Sequence, residues 1–478
     1  SFLGVTWPWT ADRGADGAPL KLLAGAGVST FDKGLGTRPR TRLSYEGGHD
    51  NIYLIRHARP TGSSHRGGPM SAFLIAAALA APPLPTDALF VAIDAGGERR
   101  AGKLIRLTSA YAAVLEGPSG DFKVSDVISL RRDVPLPPFP TAPHLVTATG
   151  DRVVGRMLGG GGQAVRFAPS SALLKEGEGW TAPISMVSAV WLTEPPADTP
   201  ADPARYAWAE GVKNRDVLRF RNGDTASGTL VGLGPKAGAP AFQFRPQAGA
   251  AREVEAAELA AVAFNPVLAR PRRPKGPFAR VVLADGSRIG VTSPTVADGV
   301  LAGEALFGQK VAVPLVAVVA IDVHQGQAVY LSDLKPSRVE QCSFLGVTWP
   351  WTADRGADGA PLKLLAGAGV STFDKGLGTR PRTRLSYDLG GKYARFEALV
   401  GLNPDAGGRG AARVRLLVDG KPHEVAREKG RPLAAGQPVA VQFDVSGAKE
   451  LVLEVDFGPA GSVQADVVWA DARVVASK

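Results

Sequence analysis

Residues 1–45, from Ser1-Phe2-Leu3-Gly4 to Leu43-Ser44-Tyr45, recur without a single change as residues 343–387. Nothing else constrains the chain as tightly, because one segment must be compatible with two places in it. The copy stops abruptly: Glu46-Gly47-Gly48 stands where the second copy runs on into Asp388-Leu389-Gly390. Folding does not demand identity at exposed loop positions, so two old functional copies would have drifted there. The identity points to a very recent duplication or to an error in joining or calling the gene. The strands that follow Tyr387 have no counterpart after Tyr45, so the first copy is incomplete as a folding unit. It is expected to be poorly ordered or to dock by mimicking residues 343–387.

Residues 46–87 carry two short motifs. Asn51-Ile52-Tyr53-Leu54-Ile55-Arg56-His57-Ala58-Arg59-Pro60 resembles the opening of the histidine phosphatases, where that histidine takes the phosphoryl group. No second histidine motif follows among His65, His144, His324 and His423, and no α/β pattern comes next, so phosphatase chemistry is set aside. Met70 to Pro83 reads as a secretory signal at 70–81, with a short apolar core and Ala78-Leu79-Ala80 as its cleavage site. It lacks a Lys or Arg between Met70 and Phe73, and a short buried helix is the alternative. Export would place the natural start at Met70 and make 1–69 upstream sequence outside the mature, secreted or periplasmic bacterial protein.

From residue 88 the pattern is one of alternating strands and tight turns. Glycine (58) and proline (38) are abundant, which favours turns over long helices. A motif of about fifteen residues appears four times without repeating its letters: an alternating strand, a Gly/Asp turn, then a strand containing a glycine. The turn and glycine positions are Ala95-Gly96-Gly97 with Gly102, Gly150-Asp151 with Gly155, Asn222-Gly223-Asp224 with Gly228, and Asp285-Gly286 with Gly290. Asn-Gly and Asp-Gly between such strands are strong hairpin signals. About thirty residues later come apolar positions spaced by three (Val124, Val127, Leu130; Ile184, Val187, Val190; Leu259, Val262; Leu315, Val318, Ile321), as in a 3₁₀ turn entering a closing strand. This is the ground plan of small SH3-like or Sm-like barrels, expected at 88–134, 144–194, 214–266 and 278–325, with Pro-rich joints at 135–143 and 195–203.

After Tyr330 five further alternating strands follow at 395–402, 412–420, 438–445, 450–455 and 466–474, predicting an antiparallel jelly-roll sandwich. Within it, Tyr387-Asp388-Leu389-Gly390-Gly391-Lys392-Tyr393-Ala394-Arg395-Phe396, Val418-Asp419-Gly420, Val445-Ser446-Gly447-Ala448-Lys449-Glu450-Leu451 and Trp469-Ala470-Asp471-Ala472 occur in order. Together they resemble the NPCBM domain, a carbohydrate-binding module related to that of glycosyl hydrolase family 98. The resemblance covers 330–478 and implies a galactose-binding-like fold and glycan binding. The expected fold class is therefore all-β: tandem small SH3-like/Sm-like barrels followed by a galactose-binding-like jelly-roll sandwich.

A sugar presents apolar C–H faces and a rim of hydroxyls, so a binder needs aromatic plates flanked by paired donors. Trp349-Pro350-Trp351 with Asp354 and Arg355 offers both in one loop, and Arg380-Pro381-Arg382 adds guanidinium forks. The family often has a histidine near Thr379 that this chain lacks. The alternative is that the tryptophans fill the core, favoured for Trp469 and evenly balanced for Trp349 and Trp351.

Other classes fall away on composition. The net charge of +10 is spread as +4, +3 and +3 over 1–69, 70–330 and 331–478, without the clustered face nucleic acid needs. The densest basic stretch, Arg270 to Lys275, is interleaved with proline and reads as a linker. One cysteine, Cys342, excludes an intramolecular disulfide and any cysteine-built metal site. No apolar run reaches the ~18 residues of a membrane span. Gly159-Gly160-Gly161-Gly162 lacks the following Lys-Ser/Thr of a phosphate loop. No catalytic constellation, metal or cofactor is expected. The leading expectation is a non-catalytic exported glycan binder, its barrels acting as spacers or as contacts for envelope proteins. The alternatives are an accessory part of a glycoside hydrolase system or a β-repeat envelope scaffold that binds no sugar.

Overall fold

The computed structural model describes residues 20–24, 27–31, 89–161, 163–170, 179–196, 199, 206–209, 211–236, 239–272, 274–342, 350–366 and 369–477. Among them every regular element is a β-strand or a short 3₁₀ turn, so the protein is all-β. The chain divides into two compact units, Ser1–Ala77 and Ala78–Lys478. In the first, Leu20–Ala24 pairs with Gly27–Phe31 in the register that the duplicate adopts between Leu362–Ala366 and Gly369–Phe373. The phosphatase-like motif and the signal-like segment lie outside the described residues.

In the second unit, one pairing scheme occurs four times. The opening strands Phe90–Asp94, His144–Thr147, Asp216–Phe220 and Phe278–Leu283 each pair with the next strand along the chain. Two more hairpins follow, and a closing strand returns to the opener: Val127–Arg132, Val187–Trp191, Leu259–Ala263 and Val318–His324. The first hairpin turns identically in all four. Gly97, Gly150, Gly223 and Gly286 sit at φ between 82° and 95° and donate to the carbonyl three residues back. Only glycine adopts that conformation without cost, so the Gly/Asp turns in the sequence set the register of each repeat. The strand glycines have a different reason. A Cβ on Gly102, Gly155 or Gly228 would strike the carbonyl of Glu116, Ala168 or Arg245 on the adjoining strand, and one on Gly290 would strike Leu306.

The 3₁₀ turns precede three closing strands, at Ile184–Met186, Ala256–Glu258 and Leu315–Ala317. The first repeat departs from that expectation. Only Ser125 and Asp126 separate Gly120–Val124 from Val127–Arg132, too few for such a turn, and Asp126 reverses the chain at φ 51°. Aspartate tolerates the left-handed region better than most residues.

The repeats are welded together. Closing strands pair across repeats, residues 129–131 with 320–322 and 189–191 with 261–263. One apolar cluster, including Leu115, Val190, Phe244, Val262 and Ile321, runs through all four repeats. Each fully buried Val, Leu, Ile or Phe contributes roughly 1.5–3 kcal/mol of transfer free energy.

The C-terminal sandwich has two antiparallel sheets. One orders Thr352–Ala353, Gly376–Thr379, Val467–Ala476, Tyr393–Leu402 and Val439–Asp444, with Ala328–Tyr330 also on Val467–Ala476. The other orders Arg338–Gln341, Thr383–Asp388, Glu450–Phe457, Ala411–Val418 and Lys421–Glu424. Between them lie Leu377, Leu385, Phe396, Leu416, Leu453 and Trp469. The sandwich meets the repeats through Ala95, Ile128, Ala328 and Val475, and through ion pairs. Arg131 bridges Asp322 and Asp471, and Arg288 holds Asp374.

Candidate functional site

The residues singled out in the sequence separate into two places. Trp349 lies outside the described residues. Trp351 is half-buried and packs on the sandwich core. Asp354, at φ 56°, accepts from the Gly376 N–H at 3.2 Å and from Lys375 Nζ at 2.7 Å. Arg355 is buried, donating to Gly359 O at 3.0 Å and Thr199 O at 3.2 Å. This loop is therefore braced from within, and Asp354 and Arg355 border a cavity of about 800 Å³ between the repeats and the sandwich.

Arg380 and Arg382 lie elsewhere. Arg380 flanks a smaller groove of about 320 Å³, shared with Cys342, Pro381, Phe457, Gln464 and Asp466. Its Nε stands 3.1 Å from Asp466 Oδ1 and an Nη donates to Oδ2 at 3.4 Å. Burial raises the Asp466 pKa, and the Arg380 charge opposes that rise. Gln464, at φ 54°, accepts from the Arg409 N–H at 2.9 Å. Arg382 is exposed at φ 66°, its N–H bound to Val455 O at 2.7 Å. The groove thus sets a charged donor–acceptor pair and an amide beside the half-buried ring of Phe457 and the edge of Pro381. Phe457, Gln464 and Asp466 were not foreseen, since they lie at a strand end and in a turn that carry no motif.

Trp469, for which the sequence favoured the core, lies there. Trp469 is fully buried, and its Nε1 donates to Thr379 Oγ1 at 3.1 Å. Thr379, beside the position where the family often carries histidine, is buried and donates to Val467 O at 3.3 Å. Two of the histidines are core residues: His144 has Nδ1 2.9 Å from Ala142 O and stacks on Trp191, and His324 stacks on Phe278. Among the described residues no three His, Cys, Asp or Glu side chains are placed to hold a metal, and no helix is long and apolar enough to cross a membrane.

Residues 327–475 match the family model of the NPCBM/NEW2 domain. No curated protein matches the chain. Solved structures similar to it include the CBM51 of a Clostridium perfringens GH95 in complex with methyl-galactose, at 21% identity and TM-score 0.28, over 31% of this chain and 99% of that one. Another is the CBM51-2 in complex with GlcNAc and INT domains of Clostridium perfringens ZmpB, at 21% identity and TM-score 0.28. That match covers 40% of this chain and only 42% of that one. A third is the tandem CBM51 modules of the Streptococcus pneumoniae family 98 glycoside hydrolase, at 13% identity and TM-score 0.29, over 65% and 89%. By its motifs and by the family model, the C-terminal sandwich of this chain is an NPCBM/NEW2 domain.

Proposed function

We propose that the sandwich is a non-catalytic carbohydrate-binding module and that the groove beside Arg380 receives the sugar. The supporting observation is the Arg380–Asp466 pair at the lip of that groove, next to Phe457 and Gln464, on a domain matched by the NPCBM/NEW2 model. A guanidinium and a carboxylate in register can clamp vicinal hydroxyls, while an aromatic face covers ring C–H groups. The segments 88–134, 144–194, 214–266 and 278–325 are, on this reading, SH3-like barrels that space the module from envelope proteins or fasten it to them. The protein is exported by the segment at 70–81.

Glycan-array binding by the full chain tests this. The wild type should retain at least one glycan, and Arg380→Ala should weaken it about tenfold, the loss of one charged hydrogen-bonding partner. Retention by Arg380→Ala with loss in Trp349→Ala or Trp351→Ala would move the site to the 349–355 loop. No glycan retained by the wild type would remove the carbohydrate reading. Export is checked by mapping peptides of the natural protein, which should begin after Ala80.

A further inference from the structure

The larger cavity, between the repeats and the sandwich, has an imbalance that the groove does not. Phe139, from the Pro-rich segment after the first repeat, lies beneath three guanidinium groups: Arg152 at 4.1 Å, Arg288 at 4.7 Å and Arg355 at 6.0 Å from the ring centroid. The cavity wall carries seven cationic side chains against four carboxylates. Most of these cations are matched. Arg131 faces Asp322 and Asp471, Arg280 faces Asp151, Arg288 faces Asp374, and Lys375 faces Asp333 and Asp354.

Arg272 reaches Glu304 at 3.7 Å, but Arg152 is not matched in this way. It is 1% exposed, and among the described residues no carboxylate stands within ion-pair distance of it. One Nη donates to Thr199 O at 2.9 Å, and its buried Nε has no acceptor. Burial pushes its pKa down to about 10; Tyr206 and Asp374 oppose that fall, and the nearby Arg355 and Arg288 charges add to it. A buried guanidinium with no carboxylate partner among the described residues and no acceptor at its Nε is costly, and an anion in the cavity would relieve both defects. At about 800 Å³ the space falls within the ~300–1,000 Å³ typical of small organic ligands and is far larger than an inorganic ion needs.

We propose that this cavity is an anion site in which Arg152 receives the carboxylate or sulfate group of a small acidic ligand. The residues lining it are distinct from those of the Arg380 groove, so the proposal stands independently of the carbohydrate reading.

Calorimetric titration of the full chain at low ionic strength with sodium sulfate, galacturonate and neutral galactose tests it. Both anions should bind and displace one another, and galactose should not compete. Arg152→Met should weaken both about 10- to 100-fold, with Arg152→Lys in between because it keeps charge and loses the fork. Tighter binding of galacturonate than of sulfate assigns the site to an acidic sugar, and binding of sulfate alone assigns it to a free oxyanion. Should Arg152→Met fail to fold, the wild type decides: sulfate should raise Tm saturably where chloride at matched ionic strength does not. Absence of saturable heat and of a Tm rise with either anion, or unchanged binding by folded Arg152→Met, overturns the proposal.

Discussion

The four repeats and the sandwich differ in how some of their buried ionisable groups are held. In the sandwich they are matched with one another: Glu397 takes Arg395 at 2.6 Å and Arg473 at 2.9 Å, and Glu454 takes Arg384 and Arg415. In the repeats Asp151 and Asp322 take Arg280 and Arg131, but other groups lean on the backbone and on aromatic rings. Arg132 donates to the carbonyls of Val318 and Leu315 over the ring of Phe90, His144 sits on Ala142 O and Trp191, and Asp216 accepts from the N–H groups of Leu230 and Asn265. Peptide dipoles satisfy hydrogen bonds without supplying a counter-charge, so desolvation sets the direction of the shift for Arg132, His144 and Asp216, whereas at Glu397 the arginine partners outweigh it. The sandwich should therefore tolerate acid better than the repeats do, and an uncompensated charge should be sought on the repeat side. Among the described residues Arg152 is such a charge.

The largest effect should come from the sandwich core. Trp469→Ala removes a fully buried indole and should cost about 3–5 kcal/mol, read from denaturant unfolding. If the repeats keep their own transition in this variant, the two regions are energetically separable. Loss of both together would mean that the Arg131 and Arg288 bridges couple them.

Next in size is acid. The His144 pKa is lowered from 6.5 to about 4 by burial, so between those values the unfolded chain binds a proton that the folded chain refuses. Stability must then fall as pH drops through that window, by about 1.4 kcal/mol per unit or roughly 3 kcal/mol in all. Burial lowers the His324 pKa too, which adds in the same direction. Glu397 acts lower down: burial opposes, but Arg473 and Arg395 depress its pKa, so its stabilisation is present above the usual carboxylate value of about 4.3 and is lost only as pH falls through its folded value. Unfolding followed by repeat and sandwich tryptophans should show the repeats weakening first between pH 6.5 and 4.5, and His144→Gln should flatten that slope. Equal weakening of both regions would break the comparison.

Asp216→Ala should cost about 1–3 kcal/mol, because it strands the N–H groups of Leu230 and Asn265. Asp216→Asn tests the charge alone. Burial raises the Asp216 pKa, so the folded chain holds its proton longer and wild-type stability falls as pH rises from about 3.9 towards the folded value. The Asn variant should lose that fall. Smallest of all, Glu340→Gln in the exposed pair with Arg338 should change stability by less than about 0.5 kcal/mol.

Much of this was legible in the letters. Gly97, Gly150, Gly223 and Gly286 announced four equivalent turns because a left-handed φ admits few other residues. Period-two alternation located the sandwich strands, and the Asp419-Gly420 turn fell where the dipeptide stood, at φ 46° and 79°. The 3₁₀ turn expected in the first repeat was not legible, because its loss depends on two residues of loop length rather than on apolar spacing. The candidate site was read only in part. Trp351, Asp354 and Arg355 are adjacent in sequence, but nothing local reveals that Arg355 turns inward to the carbonyls of Gly359 and Thr199.

By itself the sequence determined the all-β class, the four recurring turns, the positions of five sandwich strands and the family resemblance of the last third, since turn chemistry and side-chain alternation act over a few residues. Tertiary structure alone decided that closing strands pair across repeats, that Arg380 meets Asp466 at a distance of 86 residues along the chain, and that Arg152 is enclosed without a carboxylate among the described residues. These depend on desolvation and on pairings between distant segments, which no local pattern encodes.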